Sequence, residues 1–203
     1  GAKPDFEGKI QAALKAAPPP VLQGRELVKL KPMMLALKRG APYGHILSAA
    51  RGKVDGTDAD LADEARHVVS CLEDHGNARI QEARNCKDTA PLDCWRALIE
   101  IDKTYRGTDI GKTARTALDE LRKDTAFRKE VEAHTVLEKL RLLERKLKPV
   151  ADAAPNSPAF QKKNLGTLRQ ILSGVRMMQT RYPDSGATRS AVGIAEKYGM
   201  IKG

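Results

Sequence analysis

Aromatic residues are scarce: Phe, Trp and Tyr make up 4% of the 203-residue chain. Alanine and leucine carry most of the apolar content instead, which favours close helix packing over sheets. Cysteine is rare as well, with three residues in all. A chain of this length buries enough core to need no covalent staple. No run of about eighteen apolar residues occurs, so nothing in the sequence reads as a membrane span. Also missing are a nucleophile elbow, a phosphate-binding glycine loop and a metalloprotease motif. The neighbouring acids Glu130 and Glu132, or Asp58 and Asp60, stand two positions apart, and such pairs do not face each other on a helix. The chain therefore reads as a non-enzyme with no cofactor.

The formal net charge is +10, from 36 Lys and Arg against 26 Asp and Glu. That excess raises affinity for nucleic acid, anionic lipid or acidic proteins without choosing among them. Acids interrupt the cations along the helical stretches, as in Arg128-Lys129-Glu130 and Glu138-Lys139, so most of the charge reads as a solvated mixed face.

Apolar residues at helical spacing place a first helix over Asp5 to Ala16, ended by Pro18-Pro19-Pro20. A second helical stretch is expected from about Val21 to Lys38, divided by Pro32, with Gly40 as its C-cap. Pro42 opens a short helix through Ala50, and Asp55-Gly56-Thr57-Asp58 turns the chain into a long helix from about Ala59 to Asn85, which Gly76-Asn77 is expected to kink or break. Further helices are expected from Pro91 to Tyr105, from Ile110 to about Lys123, from the Asp124-Thr125 cap to near Pro149, up to Tyr182, and from about Gly186 to Tyr198. Ala153-Ala154-Pro155-Asn156-Ser157-Pro158 reads as the clearest loop. The expectation is an all-α fold: an irregular antiparallel array of about nine helices in a single domain over 1–203, with N-terminal helices at 1–40 and a helical-repeat region at 41–203.

Within that region one signature occurs twice. Lys103-Thr104-Tyr105-Arg106-Gly107-Thr108-Asp109-Ile110-Gly111-Lys112-Thr113-Ala114 aligns without a gap on Thr180-Arg181-Tyr182-Pro183-Asp184-Ser185-Gly186-Ala187-Thr188-Arg189-Ser190-Ala191. In both, an aromatic closes one helix, a turn follows, a hydroxyl caps the next helix, and an alanine comes six residues after the cap. Paired-helix repeats are built this way.

The signature resembles the tetratricopeptide-like repeats of bacterial envelope proteins, over Pro91 to Leu121 and Phe160 to Tyr198. The span from about Lys31 to Met200 is also similar to the helical extension that follows thioredoxin-like domains in some exported bacterial proteins. No Cys-x-x-Cys pair is present, so redox chemistry is not carried over, and the resemblance brings no catalytic residues. It implies an exported, periplasmic or cell-envelope module that binds a protein or peptide partner. The start at Gly1-Ala2-Lys3-Pro4, without methionine, reads as a processed or engineered end from which a leader has been removed.

Three clusters are candidates for chemistry. Cys86 and Cys94 flank Lys87-Asp88-Thr89-Ala90-Pro91 at the junction of two helices, and in an exported protein a disulfide there would clamp the turn by roughly 2–3 kcal/mol. The bland alternative is a pair of small apolar residues in a reducing compartment. His67, Cys71 and His75 recur every fourth residue, so they lie along one side of a helix. The outer two are about 12 Å apart at the helical rise, too far to share one ion, and a polar stripe between helices is the preferred reading over a metal or haem site. The best patch for an anionic partner is Lys139, Arg141, Arg145, Lys146 and Lys148, with Lys162 and Lys163 across the following loop. Glu138 and Glu144 interrupt it and few aromatics accompany it. The sequence therefore favours a non-catalytic helical interaction module. A basic helical nucleic-acid-binding protein is the alternative.

Overall fold

The computed structural model describes residues 20–151 and 153–201. The helix expected over Asp5 to Ala16 lies outside them. The described chain is all-helical, without a strand, and its α-helices are α1 (Lys31–Lys38), α2 (Tyr43–Arg51), α3 (Ala59–Asn85), α4 (Pro91–Thr104), α5 (Asp109–Lys123), α6 (Thr125–Glu144), α7 (Pro158–Arg181) and α8 (Gly186–Lys197). None of these is long and apolar enough to cross a membrane. Backbone contacts group the described residues into two units, the first drawn from 20–86 and 94–119 and the second from 87–93 and from 120 onwards.

In the first unit the stretch expected to be helical from Val21 is instead a 3-10 turn at Pro20–Leu22 followed by irregular backbone up to α1. Two local causes are visible. Gln23 and Gly24 hold left-handed backbone, at φ 51° and 78°, which stops a right-handed helix. Pro32 sits in the first turn of α1, where its missing N–H costs nothing, so it starts this helix and does not divide a longer one. The irregular segment gets its hydrogen bonds from a distant side chain. Glu64 of α3, only 7% exposed, accepts from the backbone N–H of Val28 and Lys29 through Oε1 at 2.8 and 3.1 Å and from that of Leu30 through Oε2 at 2.7 Å. Leu30 is the residue preceding α1, so a carboxylate occupies the positive end of that helix.

Gly40, at φ 81°, ends α1 as expected. Its N–H donates to Leu37 O, and that of Ala41 to Ala36 O, each at 3.0 Å, which closes a Schellman turn. Asp58 caps α3 by accepting from Leu61 N. α3 runs through Gly76 without the break that the glycine suggests. The glycine serves close approach instead: a Cβ there would lie 2.9 Å from Ile110 and 3.0 Å from the Tyr105 ring. Tyr105, 1% exposed, donates its hydroxyl to Leu72 O of α3 at 2.9 Å. Burial pushes its phenol pKa well up.

In the second unit three helices supply one core. Ala133, Leu137 and Leu140 of α6, Ile171, Val175 and Met178 of α7, and Ala187, Ala191 and Ala195 of α8 are all buried together. Each triplet follows the spacing of one helix face, and the alanines let α8 approach its neighbours closely. Fully burying a side chain such as Leu or Ile stabilises by about 1.5–3 kcal/mol. Phe160 stacks on Tyr198 at 5.6 Å beside this core. α6 stops at Glu144, one turn before the expected end near Pro149, and Ser157 caps α7 by accepting from Phe160 N.

Candidate interaction surfaces

The repeated signature puts equivalent residues in equivalent places, one copy in each unit. The N–H of Thr108 donates to Tyr105 O at 3.1 Å, and that of Ser185 to Tyr182 O at 3.2 Å. The hydroxyls of Thr108 and Ser185 accept from Gly111 N and Ala187 N and cap α5 and α8. Ala114 and Ala191 are both fully buried. The copies differ in how the turn is completed. Gly107 takes φ 85°, whereas its counterpart Asp184 needs no left-handed backbone. Gly111 has no room for a Cβ against the Tyr105 carbonyl oxygen, while its counterpart Thr188 uses its hydroxyl to donate to Tyr182 O at 2.7 Å. Thr108 makes the matching bond to Tyr105 O in the first copy.

The first unit has a groove of about 410 Å³ where the α1–α2 turn faces α3 and the end of α4. Its apolar walls are Leu37, Ala41, Pro42, Tyr43, Ile101 and Tyr105. The Tyr43 ring stands edge-on to His75 at 5.7 Å and to Tyr105 at 5.4 Å. Arg79 and Glu100 pair across the groove at 3.1 Å, with Lys103 and Thr104 beside them. Burial, assisted by the nearby Arg79 cation, lowers the His75 pKa and favours the neutral ring. No local stretch of sequence marks this site, because its walls come from four separate helices, α1 to α4.

His67, Cys71 and His75 part company in the folded chain. The His67 ring lies 3.6 Å from the Cys71 sulfur and 3.2 Å from Leu22 O, whereas His75 turns to Tyr43. Among the described residues no three His, Cys, Asp or Glu side chains converge on a metal-sized site. No disulfide joins the cysteines here: Cys71 and Cys94 are buried, and half-buried Cys86 places its thiol 3.4 Å from Ala83 O.

The basic patch is exposed throughout, at Lys139, Arg141, Arg145, Lys146, Lys148, Lys162 and Lys163. Its two halves are joined by Asn164 of α7, a buried side chain. The Asn164 amide oxygen accepts from Lys148 N at 2.8 Å, and its nitrogen donates to Lys148 O at 2.9 Å and Phe160 O at 3.1 Å. Lys163 Nζ donates to Pro149 O at 3.1 Å. The loop after α6 is thereby fastened to the start of α7. Glu144, at the edge of the patch, accepts from Lys197 Nζ at 2.9 Å and from the Tyr198 hydroxyl at 3.0 Å, while Arg141 of the patch acts on it electrostatically. Burial alone would raise the Glu144 pKa, but these two donors hold it below the usual range.

Compared with protein-family models, curated proteins and solved structures, the chain matches none.

Proposed function

We propose that the chain is a non-catalytic helical interaction module of the bacterial envelope, and that the groove beside Tyr43 receives a segment of a partner protein or peptide. The observation that carries this reading is the composition of the groove. Apolar and aromatic walls are combined with a cation, a carboxylate, a neutral imidazole and a hydroxyl, all reachable from one concavity. Binding sites are built this way, with apolar area for affinity and a few polar groups for orientation. Charges of both signs suit a peptide, which brings both donors and acceptors. The paired-helix signature, in which a small alanine allows two helices to approach, supports the same reading.

The test is selection of binders from a random peptide display library, followed by mapping of the bound site by amide hydrogen exchange. Selected peptides are expected to protect the 40–43 turn and the 100–105 end of α4. Replacing Ala41 by arginine should fill the groove and weaken them at least about tenfold, a loss of about 1.4 kcal/mol, with melting unchanged. Peptides that bind Ala41→Arg as well as the parent, or that protect other segments, would overturn the reading.

A further inference from the structure

α7 is 24 residues long and contains no Asp or Glu, while carrying Lys162, Lys163, Arg169, Arg176 and Arg181. No other helix of comparable length in the described chain is free of acid. The buried side of α7 is set by Phe160, Asn164, Leu168, Ile171, Val175 and Met178. At 100° per residue the middle of the opposite side falls on Lys162, Gly166, Arg169, Ser173, Arg176 and Thr180, and all six are exposed. Long cations and small residues alternate along this line. Among the described residues no carboxylate comes within ion-pair distance of Lys162, Arg169 or Arg176, so their charge is available to a partner. Lys148, held by Asn164, extends the cationic surface beyond the helix N-terminal end.

We infer that this face of α7 binds the phosphodiester backbone of a duplex nucleic acid, independently of base sequence. Three features separate that partner from other anions. First, the one large apolar side chain that α7 exposes, Leu165 at 47%, lies at the flank of this face, and its centre has no apolar anchor. A protein interface concentrates its energy in buried aromatic and aliphatic residues, and a membrane-surface helix inserts an apolar face between headgroups. Second, phosphate backbones are held by Lys and Arg together with Ser, Thr and backbone groups, the residue types this line presents. Glycine, serine and threonine between the cations let a backbone lie close to the helix while the long side chains reach around it. Third, the helix is about 36 Å long at the helical rise, close to one turn of B-form duplex, about 34 Å. The near absence of stacking aromatics on the face fits a duplex and not an unstacked single strand. This inference concerns the second unit and does not depend on the groove of the first.

The experiment measures binding of the full chain to a fluorescent DNA duplex of random sequence across a salt series. Comparison probes are a duplex RNA, vesicles of anionic lipid and poly-glutamate. Four proteins are compared: the parent, a Lys162→Gln, Arg169→Gln, Arg176→Gln variant, a Ser173→Glu variant, and a control that loses the same charge as the triple variant at exposed Lys31, Arg84 and Lys112 of the first unit. Affinity of the parent for duplex is expected to fall steeply with salt. The α7 variant should bind at least about tenfold more weakly near 0.1 M salt, and its log–log salt slope should be shallower by roughly 2–3, the loss expected for three phosphate contacts. The control should keep the parent's slope. Ser173→Glu, which leaves all the cations in place, should also weaken binding. Circular dichroism establishes that each variant is folded, and Ser173→Glu provides an independent reading should the triple variant not fold. Equal losses in the α7 variant and the control would reduce the effect to net charge and overturn the inference. So would tighter binding to vesicles or poly-glutamate than to either duplex, or duplex binding unaffected by Ser173→Glu.

Discussion

Glu64 in α3 binds the backbone of Leu30 at 2.7 Å, across 34 positions of sequence. With the bonds from Val28 and Lys29, this one carboxylate satisfies three successive N–H groups and thereby fixes the entry into α1. Glu64→Gln removes the charge and turns an amide NH₂ towards N–H donors, so a loss of about 1–3 kcal/mol is expected. The pH dependence has a definite sign. Burial alone would raise the Glu64 pKa, but the bonds from Leu30, Lys29 and Val28 hold it below its usual value. The unfolded chain therefore takes up this proton first as pH falls. The stabilisation is complete above the unfolded value, near 4.3, and is lost as pH drops through the lower folded value. Denaturant melts of parent and Glu64→Gln should converge on acidification, and a constant gap between them would contradict this role.

Ala114 and Ala191 occupy the same place in the two copies of the signature and are fully buried. Replacing either by leucine should overpack the helix contact and cost about 1–3 kcal/mol. Leucine at the exposed Lys112 or Arg189 should be close to neutral. Thermal melts of the four variants decide the matter. Equal stability would make the shared signature a coincidence of sequence.

The helix boundaries were legible where local chemistry sets them. Asp124 caps α6 through its own side chain and Gly40 terminates α1 through its backbone, so residue type alone marks those two ends; Asp58 and Ser157, which read only as turn and loop residues, cap α3 and α7 as well. The segment before α1 was misread because its structure depends on Glu64, a partner outside any local window. Gly76 is hard to read for a related reason: as a lone glycine in a helix it suggests a break, yet it is there to admit Tyr105 and Ile110 from another part of the chain. At the candidate sites the same distinction holds. Lys139 to Lys163 stood out as a run of cations, but the line continuing through Arg169 and Arg176 emerges only when the buried side of α7 is known.

The three thiols should differ in reactivity. Cys71 and Cys94 are buried and Cys86 is half-buried, and burial together with nearby Asp74 raises the Cys71 pKa, which disfavours its reactive thiolate. A brief pulse of iodoacetamide on the folded, reduced protein is expected to label Cys86 first and the other two only on unfolding. Mass spectrometry of the digest reads this directly. The same experiment without reductant, on protein recovered from an oxidising compartment, reports on a Cys86–Cys94 bridge, since labelling of all three thiols after unfolding rules it out.

Asn164 offers the most selective test of how the basic loop is held. Its side chain makes three hydrogen bonds, receiving one from Lys148 N and giving one each to Lys148 O and Phe160 O. Asn164→Ala removes all three and leaves the Lys148 backbone groups without them, at an expected cost of about 1–3 kcal/mol. Asn164→Asp separates donor from acceptor. An ionised carboxylate still accepts from Lys148 N but sets a charged oxygen against two carbonyl oxygens that need a donor. The protonated acid can donate to one of them, so the folded state should raise the pKa of an aspartate here above the unfolded value, near 3.9. The folded variant then holds its proton more tightly than the unfolded chain. Its stability should fall as pH rises through the interval between the two values and stay low above it. Denaturant melts of parent, Asn164→Ala and Asn164→Asp from pH 3 to pH 7 check this, the parent serving to subtract every other titration. An Asn164→Asp variant that gains stability relative to the parent with rising pH would show that Asn164 does not donate to the Lys148 and Phe160 carbonyls in solution.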